Sequence, residues 1–248
     1  MRFQRVRLLG RGAFGQVWLA KEIPSGREVA VKDLLNPTPE HVVLFQREAR
    51  NLWRQAKNQY VVKLLGWSRP SEPPYLVLEY CPGGSLRSWV RARRPWRQIA
   101  MALGQACRGL HSLHLLGGFH RDIKPDNILI GKSRDLRRNI AKISDLGLAR
   151  VPWPGGSNVT CTPRGTKAYM SPEAKAGANF SWESDIWSMG VTAWELLTGS
   201  RARKKLNSIR APRSFLDLVQ LMLSRDPDNR PPADSVIQEV LEILRTEA

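Results

Sequence analysis

The sequence predicts an α+β fold of two lobes, and changes of pattern along its 248 residues support that prediction. The first third contains five short runs typical of β-strands and one helical pattern. The segment "CPGGS" at residues 81–85 then breaks the pattern, as a linker does. Beyond it, apolar residues recur at intervals of three and four, which indicates helices. We therefore expect a β-rich N-terminal lobe over about residues 1–78, a hinge over about 79–85 and a mostly helical C-terminal lobe over about 86–248.

The predicted N-terminal lobe is a sheet with one helix. Its strands are expected at residues 5–12, 16–22, 27–35, 60–68 and 74–80. The helix is expected within residues 37–56, where apolar side chains are spaced to lie on one face. That face consists of Val42, Phe45, Ala49, Leu52, Trp53 and Ala56.

The predicted C-terminal lobe contains several helical patterns. They lie at residues 96–117, 183–199, 214–223 and 233–245. Ser214, followed three positions later by Asp217, predicts a capping box at the start of the third of these helices.

The composition is that of a soluble globular protein, with 42% apolar and 25% charged residues. The N-terminus lacks the apolar core of a signal peptide, and no run approaches the ~18–20 apolar residues of a membrane span. Cys81, Cys107 and Cys161 form neither a zinc pattern nor a disulfide framework. We therefore expect a soluble, cytoplasmic protein with reduced thiols and no membrane span.

The chain is strongly basic, since 39 Lys and Arg against 22 Asp and Glu give a formal net charge of +17. Arginine is concentrated at residues 87–97, 133–138 and 200–205. These clusters form either a surface for nucleic acid or an acidic partner, or the ordinary solvated faces of an arginine-rich protein. We favour the second interpretation because the clusters lie far apart in sequence and lack the pattern of a recognition module. Nucleic acid is not the expected partner, but it stays an alternative.

The segment "GRGAFGQV" at residues 10–17 has the pattern G-x-G-x-x-G-x-V. A dinucleotide-binding fold would place a helix after these glycines, whereas here they lie between two predicted strands. Glycines also mark any tight hairpin, so the pattern alone is weak evidence. Because Gly10, Gly12 and Gly15 carry no Cβ, the backbone of this hairpin can approach a polyphosphate closely.

Lys32 ends the apolar run "VAVK" at residues 29–32. It is either a surface lysine whose stem covers apolar groups, or a cation that binds the phosphates of a nucleotide. The second role requires a carboxylate that holds the lysine in place. Glu48 is the candidate, since Phe45 and Leu52 mark the inward face of its helix at three and four residues' distance.

Nine motifs follow one another in an order that one family shares. They are "GRGAFGQV", "VAVK", Glu48, "LEYCPGGSL", "HRDIKPDN", "DLG", "SPE", "DIWSMG" and Arg230 in "DPDNRP". With these motifs the chain resembles the eukaryotic-type (Hanks-type) protein kinase family over essentially all of its length. "HRDIKPDN" and "GTKAYMSPE" resemble the Ser/Thr-specific branch. The resemblance implies a protein kinase catalytic domain over residues 1–248 with a bilobal protein kinase-like fold.

The resemblance also implies a role for the polar residues in and around "HRDIKPDN". Asp122 would orient the attacking hydroxyl and accept its proton, and Lys124 would stabilise charge on the γ-phosphate of ATP. Asn127 and Asp145 would bind Mg²⁺ through oxygen atoms, which this cation prefers. Thr166 would hydrogen-bond Asp122 and Lys124 and shape the site for a short hydroxyl side chain.

The ATP site implied by the resemblance lies against the hinge. The backbone of Glu79 and Cys81 would bind the adenine edge beside Leu78, the gatekeeper. The residues around the rest of the nucleotide would be the three glycines with Val17, Ala30, Leu129, Lys32 and Glu48. Plain core packing explains the same apolar residues, and both interpretations hold because a bound nucleotide would complete the core.

The segment from Asp145 to Glu173 corresponds to the activation segment of the family. We hypothesise that phosphorylated Thr162 pairs with Arg121 and Arg150 and thereby orders this segment. A disordered polar loop with incidental threonines is the alternative.

Further residues are implied to support the site. His120 would pack beside the "DLG" turn, and Asp185 would brace the backbone near it. Glu173 would form a buried ion pair with Arg230. Leu146 stands where the family usually has Phe, and an aliphatic side chain can fill that apolar position.

The leading hypothesis is a Ser/Thr protein kinase that uses ATP and Mg²⁺, modifies protein substrates and autophosphorylates its activation segment. A pseudokinase scaffold would be favoured by loss of Lys32, Asp122, Asn127 or Asp145, and none is lost. A nucleic-acid-binding role of the basic surface is a third interpretation that can coexist with catalysis. The basic stretch at residues 200–213 is shorter than the family's usual segment and favours acidic substrates.

Overall fold

A five-stranded antiparallel sheet forms the first part of the protein. Its strands are β1 (Arg2–Arg11), β2 (Gly15–Ile23), β3 (Glu28–Leu34), β4 (Leu64–Trp67) and β5 (Tyr75–Glu79). The computed structural model describes residues 2–12, 15–69, 72–135, 137–149, 165–201 and 209–247, and it orders the strands β1-β2-β3-β5-β4. β4 is shorter than predicted because residues 60–62 leave the sheet and exchange backbone hydrogen bonds with Ile143.

The helix of this lobe, α1 (Pro39–Arg54), begins at a side-chain cap. Thr38 accepts the backbone N–H of His41 at 3.3 Å, and a proline follows the cap, where its missing N–H costs nothing. Phe45 and Leu52 are buried as predicted, but Trp53 is 62% exposed and its predicted inward position is wrong. Trp53 lies one position, or about 100°, beyond Leu52 around the helix. It packs edge-on against Trp67 at the surface, with ring centroids 5.8 Å apart.

The second lobe is mostly helical. Its helices are α2 (Arg87–Ala92), α3 (Trp96–His114), α4 (Pro172–Lys175), α5 (Trp182–Thr198), α6 (Arg213–Met222) and α7 (Ala233–Thr246). An antiparallel hairpin of β6 (Ile128–Lys132) and β7 (Asn139–Ile143) lies before α4 in sequence. The expected α+β class, with a β-rich first lobe and a helical second lobe, is confirmed. The sequence analysis did not predict the short helices α2 and α4 or the strand β7.

The long helix α3 lies in the core of the second lobe. The apolar face that its spacing predicts is at most 2% exposed and consists of Ile99, Leu103, Ala106, Leu110 and Leu113. These residues belong to one hydrophobic cluster that also contains Leu52 and Leu64 of the first lobe. Within the described residues, no helix is both long and apolar enough to cross a membrane.

The predicted capping box at the start of α6 is wrong. The helix begins at Arg213, after Pro212, so Ser214 is already inside its first turn. Its hydroxyl donates to Glu247 at 3.0 Å rather than capping the helix. Asp217 pairs with Arg213 at 2.9 Å, one turn away. The predicted cap therefore lies two residues beyond Pro212, the residue that precedes the first turn of the helix.

Candidate active site

A cleft of about 1090 Å³ is bordered by the sheet on one side and by β6 with the segment before it on the other. All the predicted catalytic, nucleotide-binding and metal-binding residues line it. They are Gly10, Gly12, Gly15, Val17, Ala30, Lys32, Glu48, Leu78, Glu79, Cys81, Asp122, Lys124, Asn127, Leu129, Asp145 and Thr166. Of the predicted regulatory residues, Arg121 is 8% exposed beside the cleft, and Arg150 and Thr162 lie outside the described residues.

The sheet forms one wall of the cleft through its register. β2 pairs with β3 so that Val17 lies opposite Lys32, and β3 pairs with β5 so that Ala30 lies opposite Leu78. Residues opposite each other on paired strands share a face, as do residues two apart on one strand. These four side chains therefore face the cleft together. The alternate residues of β3 lie on the other face, in a small apolar cluster.

The opposite wall is attached to the segment predicted as the hinge. Leu129 lies on β6 and forms an isolated β-bridge with Ser85. Two further backbone bonds, from Gly83 to Ile130 at 3.0 Å and from Ile130 to Gly84 at 2.8 Å, continue this contact. The two walls are thus held at a fixed separation, with apolar side chains on both.

Gly15 has a steric reason to be glycine that the sequence did not reveal. A Cβ there would clash with the backbone oxygen of Asp33 on β3. Gly10 and Gly12, in contrast, have open space where a Cβ would stand. The backbone N–H of Gly12 donates to Gly15 at 2.9 Å, which closes the base of the glycine-rich hairpin.

Lys32 lies between two carboxylates in the cleft. Its Nζ donates to both carboxylate oxygens of Glu48, at 2.7 and 2.8 Å, and to Oδ1 of Asp145 at 3.1 Å. Burial by itself lowers the pKa of Lys32, but the charges of Asp145 and Glu48 outweigh burial and raise it. The charge of Lys32 in turn holds the pKa of Asp145 below its usual value. Burial raises the pKa of Glu48, and the charge of Lys32 opposes that rise. The three side chains are therefore electrostatically coupled to one another.

Asn51 is a site residue that the sequence analysis missed. It lies on α1 three residues after Glu48, on the same buried face. Its Nδ2 donates to the backbone oxygens of Leu146 at 3.0 Å and Ala149 at 3.1 Å. The helix is therefore tied to the segment that follows Asp145 as well as to Lys32. The spacing from Glu48 was the available signal, but its partners are not visible in the sequence.

Asp122 is the centre of a hydrogen-bond network in the polar loop, residues 120–127. Lys124 donates to Asp122 at 2.7 Å and to the hydroxyl oxygen of Thr166 at 2.8 Å. Thr166 donates its hydroxyl and its backbone N–H to Oδ1 of Asp122, at 2.8 and 3.0 Å. Asn127 donates its Nδ2 to the carboxylate and to the backbone oxygen of Asp122. The carboxylate of Asp122 is therefore fixed in one orientation.

Two residues of this region have a left-handed backbone, Arg121 with φ 70° and Asp145 with φ 61°. Such conformations cost about 1–3 kcal/mol each in non-glycine residues and persist only where the surroundings impose them. Asp185, which is fully buried, accepts the backbone N–H groups of His120 and Arg121 at 2.8 Å each. The ring of His120 lies 3.0 Å from the backbone oxygen of Ser144, directly before Asp145.

Glu79 is anchored by contacts that the sequence did not reveal. Its carboxylate accepts Lys142 Nζ at 2.7 and 2.8 Å and the backbone N–H of Lys63 at 2.8 Å. Lys142 lies on β7 and is 4% exposed, so a largely buried ion pair joins the end of β5 to the strand that precedes Asp145. The backbone N–H of Cys81 has no partner among the described residues and is available to a ligand. Burial raises the pKa of the Cys81 thiol to about 12.

The donor atoms in the cleft fit Mg²⁺ held jointly with a polyphosphate. Asn127 uses its Nδ2 on Asp122, which leaves Oδ1 free to bind a cation. Asp145 uses Oδ1 on Lys32, and its Oδ2 has no hydrogen-bond partner among the described residues. No cluster of three or more His, Cys, Asp or Glu side chains suited to a metal is present in the described ranges. Mg²⁺ commonly binds through one or two protein oxygens with phosphates as further ligands.

The expected ion pair between Glu173 and Arg230 is present in the second lobe. Arg230 donates to the two carboxylate oxygens of Glu173 at 2.7 and 2.9 Å, and its side chain is fully buried. Burial by itself raises the pKa of Glu173, but hydrogen bonds from Arg230 and Ser171 outweigh burial and lower it to about 2. Leu146 is also fully buried, in the same hydrophobic cluster as Leu52.

A family model described as "Protein kinase domain" matches residues 3–241. The chain belongs to the protein kinase domain family. The family that the motifs indicated, and its bilobal fold, are therefore confirmed.

The curated relatives of this chain are named as serine/threonine-protein kinases, which is the branch that the motifs indicated. Serine/threonine-protein kinase Pkn1 of Myxococcus xanthus is 34% identical over 209 residues, which cover 79% of this chain and 29% of that protein. Serine/threonine-protein kinase PknB of Mycobacterium tuberculosis is 34% identical over 209 residues, 80% of this chain and 32% of that protein. Serine/threonine-protein kinase Nek4 of Mus musculus is 29% identical over 259 residues, which cover 94% of this chain and 32% of that protein. The chain spans about a third of the length of these relatives.

Proposed function

We propose that this kinase domain is an active enzyme that transfers the γ-phosphate of ATP to Ser and Thr hydroxyls of proteins. One observation carries the proposal: Lys32 contacts Glu48 and Asp145 at once, in the same cleft as the oriented carboxylate of Asp122. Protein kinases need the ion pair and the metal-binding Asp in place together for transfer. The relatives, which are named as serine/threonine kinases, support the choice of hydroxyl.

The proposed nucleotide site uses the two walls of the cleft. Val17 and Ala30 would cover one face of the adenine and Leu129 the other, with Leu78 as the gatekeeper beside the adenine edge. The free N–H of Cys81 would donate to the adenine edge, and the backbone oxygen of Glu79 would accept from it. The glycine-rich hairpin and Lys32 would bind the phosphates, since Gly10 and Gly12 leave open space and Lys32 is protonated.

The reaction proposed for this site is removal of the hydroxyl proton coupled to in-line transfer: the γ-phosphorus bonds the hydroxyl oxygen as its bond to the bridging oxygen breaks, and ADP leaves. Asp122 would orient the Ser or Thr hydroxyl and accept its proton on a carboxylate oxygen. Lys124 and Thr166 hold that carboxylate, and Lys124 carries the charge that would stabilise the moving phosphoryl group. Mg²⁺, held by Asn127 and Asp145, would neutralise phosphate charge. The residues of the site would mainly position the hydroxyl and the phosphates and neutralise the phosphate charge, which is what phosphoryl transfer requires.

The proposal includes control by phosphorylation. Phosphorylated Thr162 would pair with Arg121 and Arg150, and autophosphorylation would supply the phosphate. Support comes from Arg121, which lies directly before Asp122 and has its backbone fixed by Asp185. The lobe boundaries at about residues 78 and 86, and a cytoplasmic location, are also proposals. The free, buried thiols of Cys81 and Cys107 support a reducing compartment.

The alternatives are weaker. A pseudokinase scaffold would have no reason to keep the contacts among Lys32, Glu48 and Asp145, or the network around Asp122. Binding of nucleic acid is supported only by the net charge of +17, which has no recognition pattern. Protein substrates with acidic residues fit the same charge, and we propose them on that ground.

The test is transfer of labelled phosphate from ATP, with Mg²⁺, to a generic Ser/Thr substrate protein and to the chain itself. Asp122→Asn should lower the rate at least about 100-fold, because it removes the proton acceptor. Its thermal unfolding should match that of the wild type. Asp217→Asn, a change of the same kind at an exposed carboxylate on α6, should retain full activity. A wild-type chain that phosphorylates neither itself nor any such substrate would falsify the proposal.

A further inference from the structure

Arg87 on α2 binds three side chains at the edge of the cleft. Its Nη1 donates to Glu195 at 2.7 Å, and its Nη2 donates to Asp126 at 2.8 Å and to the hydroxyl oxygen of Tyr169 at 2.6 Å. Its Nε adds contacts to Asp126 at 3.1 and 3.3 Å. The hydroxyl of Tyr169 donates in turn to Glu195, and burial raises its pKa to about 12. One guanidinium therefore satisfies two carboxylates.

This cluster lies next to the reacting residues. Asp126 is in the polar loop, between the residues that hold Asp122, and Asn127 beside it bonds Asp122 directly. The backbone N–H of Tyr169 donates at 2.9 Å to the backbone oxygen of Thr166, which also bonds Asp122. Arg87, Asp126 and Tyr169 line the same cleft as Asp122. A peptide whose hydroxyl reaches Asp122 therefore enters a cleft that Arg87 also lines.

The two carboxylates would form an acidic surface if Arg87 were absent. Asp126 is 47% exposed at its side chain, and Glu195 is 7% exposed behind it. Carboxylates so placed bind Arg and Lys through charge-assisted hydrogen bonds. Arg87 already bonds both carboxylate oxygens of Asp126 and Oε1 of Glu195, while Tyr169 bonds Oε2 of Glu195. A second cation, Arg201, lies 3.8 Å from Glu195 and over the ring of Tyr169.

We propose that Arg87 is a specificity-determining residue. Its guanidinium occupies the carboxylates of Asp126 and Glu195, and it thereby prevents the enzyme from selecting peptides with basic residues near the acceptor hydroxyl. The proposal rests on the proposed kinase function and names the substrate class of the same site. Peptides with Arg or Lys beside the acceptor Ser or Thr are poor substrates for the wild type. A purely structural Arg87 would hold Glu195 without influencing which peptides bind.

The experiment compares Arg87→Ala with the wild type on peptides that carry Ser and a single Arg, Glu or Ala at each position around it. Arg87→Ala should raise kcat/KM about tenfold for peptides that carry Arg at one or two of these positions. A tenfold change corresponds to about 1.4 kcal/mol. The double variant Arg87→Ala/Asp126→Asn should lose most of that gain, because the exposed carboxylate is gone. Arg213→Ala, which removes an exposed arginine on α6, should leave all preferences unchanged.

A binding measurement separates this proposal from the proposed activity. Fluorescence anisotropy of the labelled Arg peptides needs no turnover, so it reports on Arg87 even if no phosphate is transferred. Tighter binding of Arg peptides by Arg87→Ala supports the proposal, and a folded Arg87→Ala with wild-type preferences overturns it. A wild type that already selects Arg peptides also overturns it. If Arg87→Ala does not fold, the variant Asp126→Asn is used instead. An unchanged peptide preference supports the proposal, because Arg87 already keeps Asp126 from peptides in the wild type. A loss of Arg-peptide binding refutes it, because Asp126 must then have bound those peptides.

Discussion

Glu173→Gln should destabilise the second lobe by about 2 kcal/mol at neutral pH, because it removes the charge that balances Arg230. Lowering of the Glu173 pKa from 4.5 to about 2 corresponds to about 3 kcal/mol of stability. Its side chain is 20% exposed, so solvent screening reduces the effect. Arg230 keeps three other acceptors in the variant, the backbone oxygens of Ser224 at 2.9 Å, Glu183 at 3.0 Å and Arg225 at 3.5 Å. These bonds keep the loss below the 3–5 kcal/mol typical of a fully unpaired buried charge.

The pH dependence has a definite sign. A carboxyl with a lowered pKa in the folded state contributes stability that is complete above its ordinary pKa of 4.5. That contribution is lost as the pH falls towards about 2, where the folded carboxyl itself becomes protonated. The difference between wild type and Glu173→Gln should therefore be constant from pH 7 to about pH 5 and narrow below that.

Urea unfolding followed by tryptophan fluorescence measures the difference. Trp187 is a suitable reporter, because the guanidinium of Arg230 lies 5.0 Å from its ring centre. Glu242→Gln is the matched control, since its ion pair with Arg245 is exposed, and it should show no measurable loss. A Glu173→Gln variant as stable as this control, or one whose loss is the same at pH 7 and pH 3, would refute the reasoning.

Two further predictions concern the hinge and the activation segment. Lys142→Met should raise KM for ATP about fivefold and leave kcat within twofold, because Glu79 loses the cation that anchors it. Steady-state kinetics measures both constants, with Lys132→Met, a change at an exposed lysine on β6, as the control. An unchanged KM in Lys142→Met would contradict the prediction. Thr162→Ala should lower activity at least about tenfold if phosphorylation orders the segment. Phosphopeptide mapping with activity assays measures it, and full activity of unphosphorylated Thr162→Ala would exclude the switch.

The residues that the sequence identified share one property: each belongs to a short motif in which spacing and chemistry are both constrained. Lys32 follows three apolar residues within β3, and Asp122, Lys124 and Asn127 lie close together in one loop, so the local pattern indicated their importance. The sheet register that brings Val17 next to Lys32 follows from the same alternation. Local pattern failed where only tertiary context decides, as at Trp53 and at Ser214 in α6.

The residues that were missed act through partners far away in sequence. Arg87 and Glu195 are separated by 108 positions, Asn51 and Leu146 by 95, and Lys142 and Glu79 by 63. Arg87 was grouped with the arginines of a basic cluster, and its neighbours gave no sign of a buried carboxylate. A charge count cannot distinguish an arginine that faces water from one that neutralises a site. Such pairs become visible only when the fold brings the two segments together.

Two sets of buried polar contacts hold α1 in its position, one at Glu48 and one at Asn51. Glu48 and Asn51 lie on the same face, and they are 3% and 5% exposed. A rotation of the helix that broke the bond to Lys32 would therefore also remove Asn51 from Leu146 and Ala149. Each buried polar group left without a partner costs about 1–3 kcal/mol, so intermediate positions are disfavoured. Because both contacts bear on Asp145, one through Lys32 and one through the segment after it, the helix and this carboxylate must be in place together.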